Sequence, residues 1–213
     1  MTVTLRHKDL TIEVFDNSAF ANSPDSPTSY DKVYQPESDK ECRSVSQTAI
    51  IVYKDNEKIT SAILLAVAGV TSVTTDSAII DNDNLITICC NTVFSLTLPD
   101  LALNWMTVAD WATCFSIHKY QDTFITHGET SISRLDRNGE ILWQHSGCDI
   151  FVTLYEGSPF EMHDTYISLI DFNGSKYKID YNGNTIAYEE ADHYKHKPVT
   201  VYLQPEKPWW KFW

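Results

Sequence analysis

The sequence is short of the residues and motifs that define several large classes of protein. Its 213 residues include only 7 glycines, which are too scattered for a phosphate-binding loop. It has no GxSxG, HExxH or EF-hand sequence, so the common signatures of hydrolases, metalloproteases and calcium-binding proteins are missing. No apolar run has the length of a signal peptide or of a membrane span. We therefore expect a cytoplasmic protein that does not bind membranes.

The cysteines do not form a pattern typical of disulfides or zinc sites. They are five in number, include the adjacent pair Cys89–Cys90, and form no CxxC, which favours a reducing compartment. His193 and His196 have a chelating spacing, but two neighbouring lysines would repel a cation. We predict no metal site and no other cofactor. Four cysteines are expected to be small buried residues: Cys89, Cys90, Cys114 and Cys148.

Positive charge is scarce. The formal net charge is −13, and residues 46–187 hold 17 acidic against 7 basic side chains. Such a chain would be repelled by nucleic acid and by anionic lipid, so a charged partner is expected to be a basic protein. A role of the acidic residues in solubility alone is an equally good explanation.

The sequence contains an internal repeat. Similar units begin at Asn84, Asp122 and Asp164, at spacings of about 40 residues that are typical of blades built from small antiparallel strands. Each unit alternates short apolar strands with polar turns and ends in an aromatic residue followed by an aspartate. The segment 49–66 has the same form and is interpreted as a degenerate fourth unit.

The turns within these units predict hairpins. Asp-Arg-Asn-Gly and Asp-Tyr-Asn-Gly place Gly139 and Gly183 where a tight turn needs a positive φ. The closing aromatic residues are interpreted as packing between blades: Trp105, Trp143 and Tyr188. The prediction is an all-β fold, a small propeller-like or open fan of about three to four antiparallel blades. It forms one domain over residues 1–205, with a long loop at 16–45 and an aromatic tail at 206–213.

The span from Asn84 to Asp192 resembles β-propeller repeats of the quinoprotein-dehydrogenase-like kind, through the strand, turn and LDRNGEILW pattern. In that superfamily large propellers hold a quinone cofactor, whereas many relatives are pure scaffolds. The three or four units present here are too few for a large closed propeller with a central cofactor. The stretches SAILLAVAGVTSV, VFSLTLPDLALNW and CDIFVT are also similar to small uncharacterised bacterial proteins, which implies no activity.

The recurring aspartates are the candidate binding residues. Equivalent positions on successive blades lie on the same face, so these carboxylates would form an acidic surface; the alternative is that each one caps its own turn. The candidates are Asp110, Asp149, Asp192, Asp81 and Asp83. We therefore expect a non-catalytic binding protein, first an immunity-type inhibitor of a basic protein toxin. The alternatives are a propeller-type interaction scaffold and, third, a hydrolase or quinone-dependent enzyme.

Overall fold

The computed structural model describes residues 1–18, 20, 29–39, 46–69, 71–154 and 156–191. Seventeen strands form four small sheets, which confirms the predicted all-β fold of three to four antiparallel blades. The described part of the chain contains no helix long and apolar enough to cross a membrane.

The first sheet has five strands and the other three have four each. In the first sheet the spatial order is β1-β2-β4-β5-β3, and the strands are β1 (Thr2–His7), β2 (Leu10–Asp16), β3 (Lys32–Tyr34), β4 (Ser46–Lys54) and β5 (Glu57–Ala66). The others are antiparallel meanders in chain order, the arrangement of propeller blades. The second sheet contains β6 (Ala78–Asp81), β7 (Asn84–Cys89), β8 (Thr92–Thr97) and β9 (Ala102–Val108).

The third and fourth sheets repeat this meander. Their strands are β10 (Cys114–Tyr120), β11 (Thr123–Gly128), β12 (Ile132–Leu135) and β13 (Ile141–His145), then β14 (Phe160–Met162), β15 (Ile167–Ile170), β16 (Lys176–Ile179) and β17 (Thr185–Glu189). Each sheet therefore begins one strand earlier than the repeat read from the sequence. The added strands β6, β10 and β14 precede the turns at which the sequence units begin.

Successive sheets pack through separate apolar cores, because strand residues alternate between the two faces. Leu85 of β7 belongs to the core shared by the first and second sheets. Its neighbour Ile86 lies in the core between the second and third sheets. In the same way Phe124 of β11 faces the second sheet and Ile125 faces the fourth. The two faces of β7 and of β11 thus pack against the neighbouring sheets on both sides.

Trp105 of the second sheet and Trp143 of the third sheet each contact a tight turn of the following sheet. Trp105 and Trp143 stand opposite equivalent residues of the preceding strands β8 and β12. The Trp105 indole Nε1 donates to the Arg137 carbonyl oxygen at 2.8 Å, and Trp143 Nε1 donates to the Tyr181 carbonyl oxygen at 3.1 Å. Each indole therefore covers the Asp-x-Asn-Gly turn of the following sheet.

Glycine is required at those turns for two reasons. Gly139 and Gly183 both have a φ of 83°, a conformation that is strained for other residues. A Cβ at Gly139 would lie 2.5 Å from Trp105, and one at Gly183 would lie 2.7 Å from Trp143. The recurring tryptophan and the recurring glycine are thus two halves of one contact between sheets.

The last sheet departs from this pattern at Tyr188. In β17 the residue at the tryptophan position is Ala187, opposite Lys178, and Tyr188 is the next residue, opposite Tyr177. The turn from Asp180 is followed by one more residue before the aromatic, so the side chain points to the other face of the strand. Tyr188 is therefore not equivalent to the two tryptophans, and its ring packs 5.1 Å from that of Tyr177.

The segment 16–45, expected to be a loop, contains regular structure. Its β3 pairs parallel with β5, and residues Glu37–Asp39 form a 3-10 turn. A three-residue strand beside a proline is too short to produce alternation in the sequence, which is why the pattern missed it. Within β3, Tyr34 donates its hydroxyl to the Leu101 carbonyl at 2.8 Å, so it holds the β8–β9 turn much as the tryptophans hold the later turns.

Candidate functional site

The antiparallel strands give the row of sheets two different ends. The hairpin end carries turns within sheets, at residues 8–9, 55–56, 82–83, 98–101, 121–122, 136–140, 163–166 and 180–184. The crossover end is where the chain passes from one sheet to the next; it is formed by residues 67–69, 71–77, 90–91, 109–113, 129–131, 146–154, 156–159 and 171–175.

The carboxylates predicted to form one acidic surface lie at opposite ends. Asp81 and Asp83 flank the β6–β7 turn of the hairpin end, whereas Asp110 and Asp149 lie in loops of the crossover end. Strand direction separates them, because β6 and β9 run antiparallel, so that β6 finishes at the hairpin end and β9 finishes at the crossover end. Asp192 lies outside the described residues, as do His193, His196 and the tail 206–213. Of the recurring aspartates that the structure describes, Asp110 and Asp149 lie at the same end, and the candidates Asp81 and Asp83 lie at the opposite one.

Asp110 is a structural residue in the interior. It is 2% exposed, and one carboxylate oxygen accepts from the backbone N–H groups of Ala112 and Thr113 at 2.7 and 3.0 Å. The other accepts from both the N–H and the hydroxyl of Thr130 and of Ser131 at 2.8 to 3.1 Å. A carboxylate with all of its acceptor sites occupied cannot also contact a partner. Asp110 joins the loop after β9 to the β11–β12 turn.

Asp81 is also committed to internal contacts. It is 5% exposed, forms an ion pair with Lys119 of the next sheet, and has a guanidinium nitrogen of Arg137 at 4.0 Å. Asp83 is exposed, but it accepts from Lys8 Nζ at 2.5 Å and from His7 Nε2 at 2.8 Å. The bonds from Lys8 and then His7 lower the pKa of the Asp83 carboxyl. Both aspartates are therefore neutralised by cations of the hairpin end.

Asp149 is the one predicted carboxylate of the described chain with a partly exposed side chain and no cationic neighbour. Its Oδ1 accepts from the N–H of Ile150 at 2.8 Å, and its Oδ2 accepts from the side-chain amide of Asn173 at 2.7 Å. These bonds fix its orientation without cancelling its charge.

Lysine and arginine are distributed very unevenly between the two ends. In the described ranges, the hairpin half holds Arg6, Lys8, Lys32, Lys54, Lys58, Lys119, Arg134 and Arg137. Lys178 has its ammonium group 4.9 Å from the ring of Tyr166, which is in a hairpin-end loop. Lys176 alone among the described lysines and arginines lies at the crossover half, 3.8 Å from Glu189. Among the described residues, the crossover end therefore carries carboxylates with little compensating positive charge.

Surface carboxylates are numerous at the crossover end. Besides Asp149 they are Asp16, Asp76, Glu129, Glu156 and Glu190. Glu129 belongs to a ladder of backbone hydrogen bonds that connects loops of neighbouring sheets and continues beside Asp149. The N–H of Glu129 donates to Thr113 at 2.8 Å, the N–H of Phe151 donates to Glu129 at 2.7 Å, and the N–H of Phe172 donates to Ile150 at 2.8 Å. These bonds fix the backbone of Glu129 and of the segment next to Asp149.

The same end exposes large apolar side chains that the sequence pattern did not reveal. Trp111 is 84% exposed and Leu154 is 79% exposed, and Phe172 beside Asp149 is also exposed. Trp111 follows Asp110 directly in the sequence, but a tryptophan in a short loop carries no sign of whether it packs inward. Only the structure distinguishes it from the turn-covering Trp105 and Trp143.

The histidines lie mainly in aromatic packing. His127 stacks on Phe160 at 5.0 Å and contacts the Phe151 carbonyl oxygen at 2.9 Å, and His118 also stacks on the Phe160 ring, at 5.2 Å. Burial lowers the pKa of His127 to about 4 and also lowers the pKa of His118. Neutral imidazoles in such packing fit a structural role.

The four cysteines that the structure describes do not form a reactive group. Burial raises the pKa of the Cys89 thiol to about 12 and raises that of Cys114 as well, which disfavours the nucleophilic thiolate. Cys148, expected to be buried, is exposed, with its sulfur 3.7 Å from the Tyr188 hydroxyl, because it lies in a loop rather than in a strand. Within the described residues, no group of three or more His, Cys, Asp or Glu side chains is arranged to hold a metal ion.

A shallow depression of about 510 Å³ lies on the outer face of the last sheet. Lys176, Lys178, Glu161 and Glu189 line it together with Ala187. The charges are mixed and the lysines are engaged with Glu189 and with the Tyr166 ring. The depression does not collect groups of one chemical kind, as a small-molecule site does.

No family model matches the sequence, and no curated protein sequence is significantly similar to it. Among solved structures the chain is similar to the AfRom2 CNH domain, with 12% identity over 89% of this chain and 54% of that chain and a TM-score of 0.48. BamB from Moraxella catarrhalis gives 19% identity over 69% and 46%, with a TM-score of 0.43. The computationally designed Ika8 protein gives 6% over 88% and 61%, with a TM-score of 0.45.

The chain thus spans about half the length of the AfRom2 CNH domain and of BamB. With identities this low and TM-scores below 0.5, these similarities carry no functional argument. The proposals below rest on the chain's own residues.

Proposed function

We propose that this chain is a non-catalytic binding protein whose partner is a basic protein. The observation that carries the proposal is the separation of charge between the two ends of the sheets. At the hairpin end, cations neutralise carboxylates such as Asp81 and Asp83. At the crossover end, Glu129 and Asp149 are held by backbone and amide groups and have no cationic partner among the described residues.

An uncompensated and rigid acidic surface favours a basic protein over other partners. Complementary charge accelerates association by long-range attraction, and rim carboxylates affect the association rate more than the dissociation rate. Rigidity adds to this, because a surface that is already ordered loses little conformational entropy on binding. Nucleic acid and anionic membranes would be repelled by the same surface.

Among basic partners, we propose a toxin domain that this chain neutralises by covering its active site. An inhibitor of this immunity type needs fast association and no chemistry of its own, which fits an acidic surface on a rigid frame. A general interaction scaffold is the second candidate, because the four similar sheets offer an extended surface to several proteins.

The proposal is tested by affinity purification with the full chain as bait in three forms. The wild type is compared with Glu129→Lys/Asp149→Lys at the crossover end and with Glu140→Lys/Asp164→Lys at the hairpin end, which changes charge equally. We expect one basic protein to be retained by the wild type and the hairpin-end variant and lost with the crossover-end variant. Equal retention by all three, or retention of acidic proteins only, contradicts the proposal.

The captured protein then separates the two candidates. An inhibitor is supported if the captured protein stops growth when expressed alone and if co-expression of this chain restores growth. A scaffold is supported if several proteins bind together and none of them is toxic. Either outcome agrees with the proposal of a basic protein partner. The two outcomes exclude each other, because a captured protein either is toxic or is not.

A further inference from the structure

Trp111 is presented to solvent on one of the most tightly bonded loops of the described chain. Its side chain is 84% exposed, although the residues on both sides of it are fixed. Asp110 before it is buried and binds the N–H groups of Ala112 and Thr113. The Ala112 carbonyl accepts from the N–H of Gly69 at 3.1 Å.

Further bonds tie this loop to both neighbouring sheets. The N–H of Cys114 donates to Cys90 of the second sheet at 2.8 Å, and the Thr113 carbonyl accepts from Glu129 of the third sheet at 2.8 Å. A large apolar side chain left in water is unfavourable by the area it exposes. The fold therefore holds the indole outward rather than letting the loop turn it into an apolar core.

We propose that Trp111 is the central anchor of the interface with the basic partner and that its indole binds an arginine side chain of that partner. This inference rests on the function proposed above. Tryptophan and arginine are the residues most enriched in the energetic centres of protein interfaces. A guanidinium stacks on an indole face by a cation–π interaction that strengthens as water is excluded.

The charges around Trp111 select a cation rather than an apolar group. Glu129 is hydrogen-bonded to the Trp111 loop through Thr113, and the ladder continues to Phe151 and the adjacent Asp149 segment. A guanidinium on the indole has donors left over for carboxylates of this kind. Among the described lysines and arginines, Lys176 alone lies in the crossover half, and it is paired with Glu189.

The exposed apolar residues Leu154 and Phe172 extend the same end. They provide the apolar contacts that exclude water around an anchor. The partner is thus expected to present an arginine within a mixed apolar and basic surface. A uniformly basic strand without apolar neighbours would match the carboxylates but not these side chains.

The binding chemistry is tested first with defined peptides and with the full chain carrying 5-fluorotryptophan. The probes are a peptide of three arginines spaced by glycines and the same peptide with lysine or with glutamate in place of arginine. The fluorine resonance of residue 111 is identified by its loss in Trp111→Phe. We expect that resonance to shift saturably with the arginine peptide. The lysine peptide should bind about threefold more weakly, and the glutamate peptide should cause no shift.

The matched control is Leu142→Ala, which truncates an exposed apolar residue of the outer strand β13. It should leave the titration unchanged, whereas Glu129→Gln/Asp149→Asn should weaken binding several-fold. The inference is overturned if the arginine peptide leaves the Trp111 resonance unmoved, whether or not it binds elsewhere. An equal shift with the glutamate peptide overturns it too.

The second measurement uses the basic protein obtained by the affinity purification. Trp111→Ala should raise its Kd by at least about 30-fold, the size expected of an interface anchor, and Leu142→Ala by less than about threefold. If Trp111→Ala raises the Kd by less than about threefold, Trp111 is not the anchor of the interface, although the proposed function is unaffected. The alternative occupant of this surface is a second copy of the chain, and sedimentation of the chain alone would detect it. Self-association that Trp111→Ala abolishes would assign this surface to that second copy.

Discussion

The hairpin end and the crossover end both carry aspartates and tryptophans, but the groups around these residues differ. At the hairpin end, aspartates such as Asp81 meet lysine and arginine side chains, and tryptophans cover the turns. At the crossover end, the buried aspartate Asp110 binds backbone groups, which fixes the loops while Asp149 keeps an uncompensated charge. An aspartate that recurs in a repeat can therefore be a frame residue or a surface residue, and the groups around it decide which.

The sharpest test of this comparison replaces the frame aspartate. Asp110→Ala should lower the free energy of unfolding by about 4 kcal/mol, because four backbone N–H groups, two of them fully buried, would lose their acceptor. Urea unfolding measures the change. Asp149→Ala is the matched control at the same end and should change the free energy by less than about 0.5 kcal/mol. Similar values for the two variants would mean that Asp110 is not the residue that holds this end together.

The next test concerns the tryptophan that covers a turn of the hairpin end. Trp143→Ala should cost about 3 kcal/mol of unfolding free energy, toward the low end for a large aromatic because the ring is only half-buried. Thermal and urea unfolding both report it. Leu142→Ala, one residue earlier and exposed, serves as the control and should have little effect. An equally small loss for Trp143→Ala would show that the turn from Asp180 is stable without the Trp143 indole packed on it.

The third test uses pH to examine the packing between the third and fourth sheets. Burial lowers the pKa of His127 to about 4, below its usual value of about 6.5. The unfolded chain therefore takes up a proton below pH 6.5 that the folded chain refuses, so stability falls as pH decreases. Between pH 7 and pH 5 the loss from His127 should be about 2 kcal/mol.

The measurement is urea unfolding at both pH values for the wild type and for His127→Gln, which cannot titrate but can donate to the Phe151 carbonyl. The variant should lose about 2 kcal/mol less than the wild type over this interval. His118 and His145 also have lowered pKa values because of burial, so part of the dependence should remain. Identical pH profiles would mean that His127 accepts a proton in the folded protein.

The smallest expected effect is on the rate of partner binding. Asp149→Lys should slow association with the captured basic protein by about threefold to tenfold at low salt, and the difference should shrink as salt rises. Asp164→Lys at the hairpin end changes the net charge equally and should slow association less. Stopped-flow kinetics at two salt concentrations compares them. If the two variants slow binding alike, the net charge of the chain matters and the crossover end has no special role.

Much of the fold was predictable because it depends on local patterns. Alternating apolar residues at the spacing of Asn84, Asp122 and Asp164 indicated repeated small sheets, and Asn-Gly at residues 138–139 indicated a tight turn. The sheets' first strands were missed, since β6, β10 and β14 are bounded by irregular loops rather than by repeated turns. The one-residue shift at Tyr188 was missed because the register of a strand depends on how it pairs with its neighbour.

The candidate site was much less predictable. Recurrence pointed to Asp110 and Asp149 as equals, yet one is enclosed by six hydrogen bonds and the other faces solvent. Trp111 had no signal of its own. A side chain's burial and its charged neighbours come from segments far apart in the chain, so no local pattern encodes them.

The amino-acid sequence by itself determined that the chain is acidic, rich in short strands and built from repeats. These properties follow from composition and from periodicity over a few residues. The tertiary structure decided which carboxylates remain unneutralised and which tryptophan is exposed. The physical reason is strand direction: antiparallel pairing places Asp83 and Asp110 at opposite ends of one sheet, where different neighbours surround them.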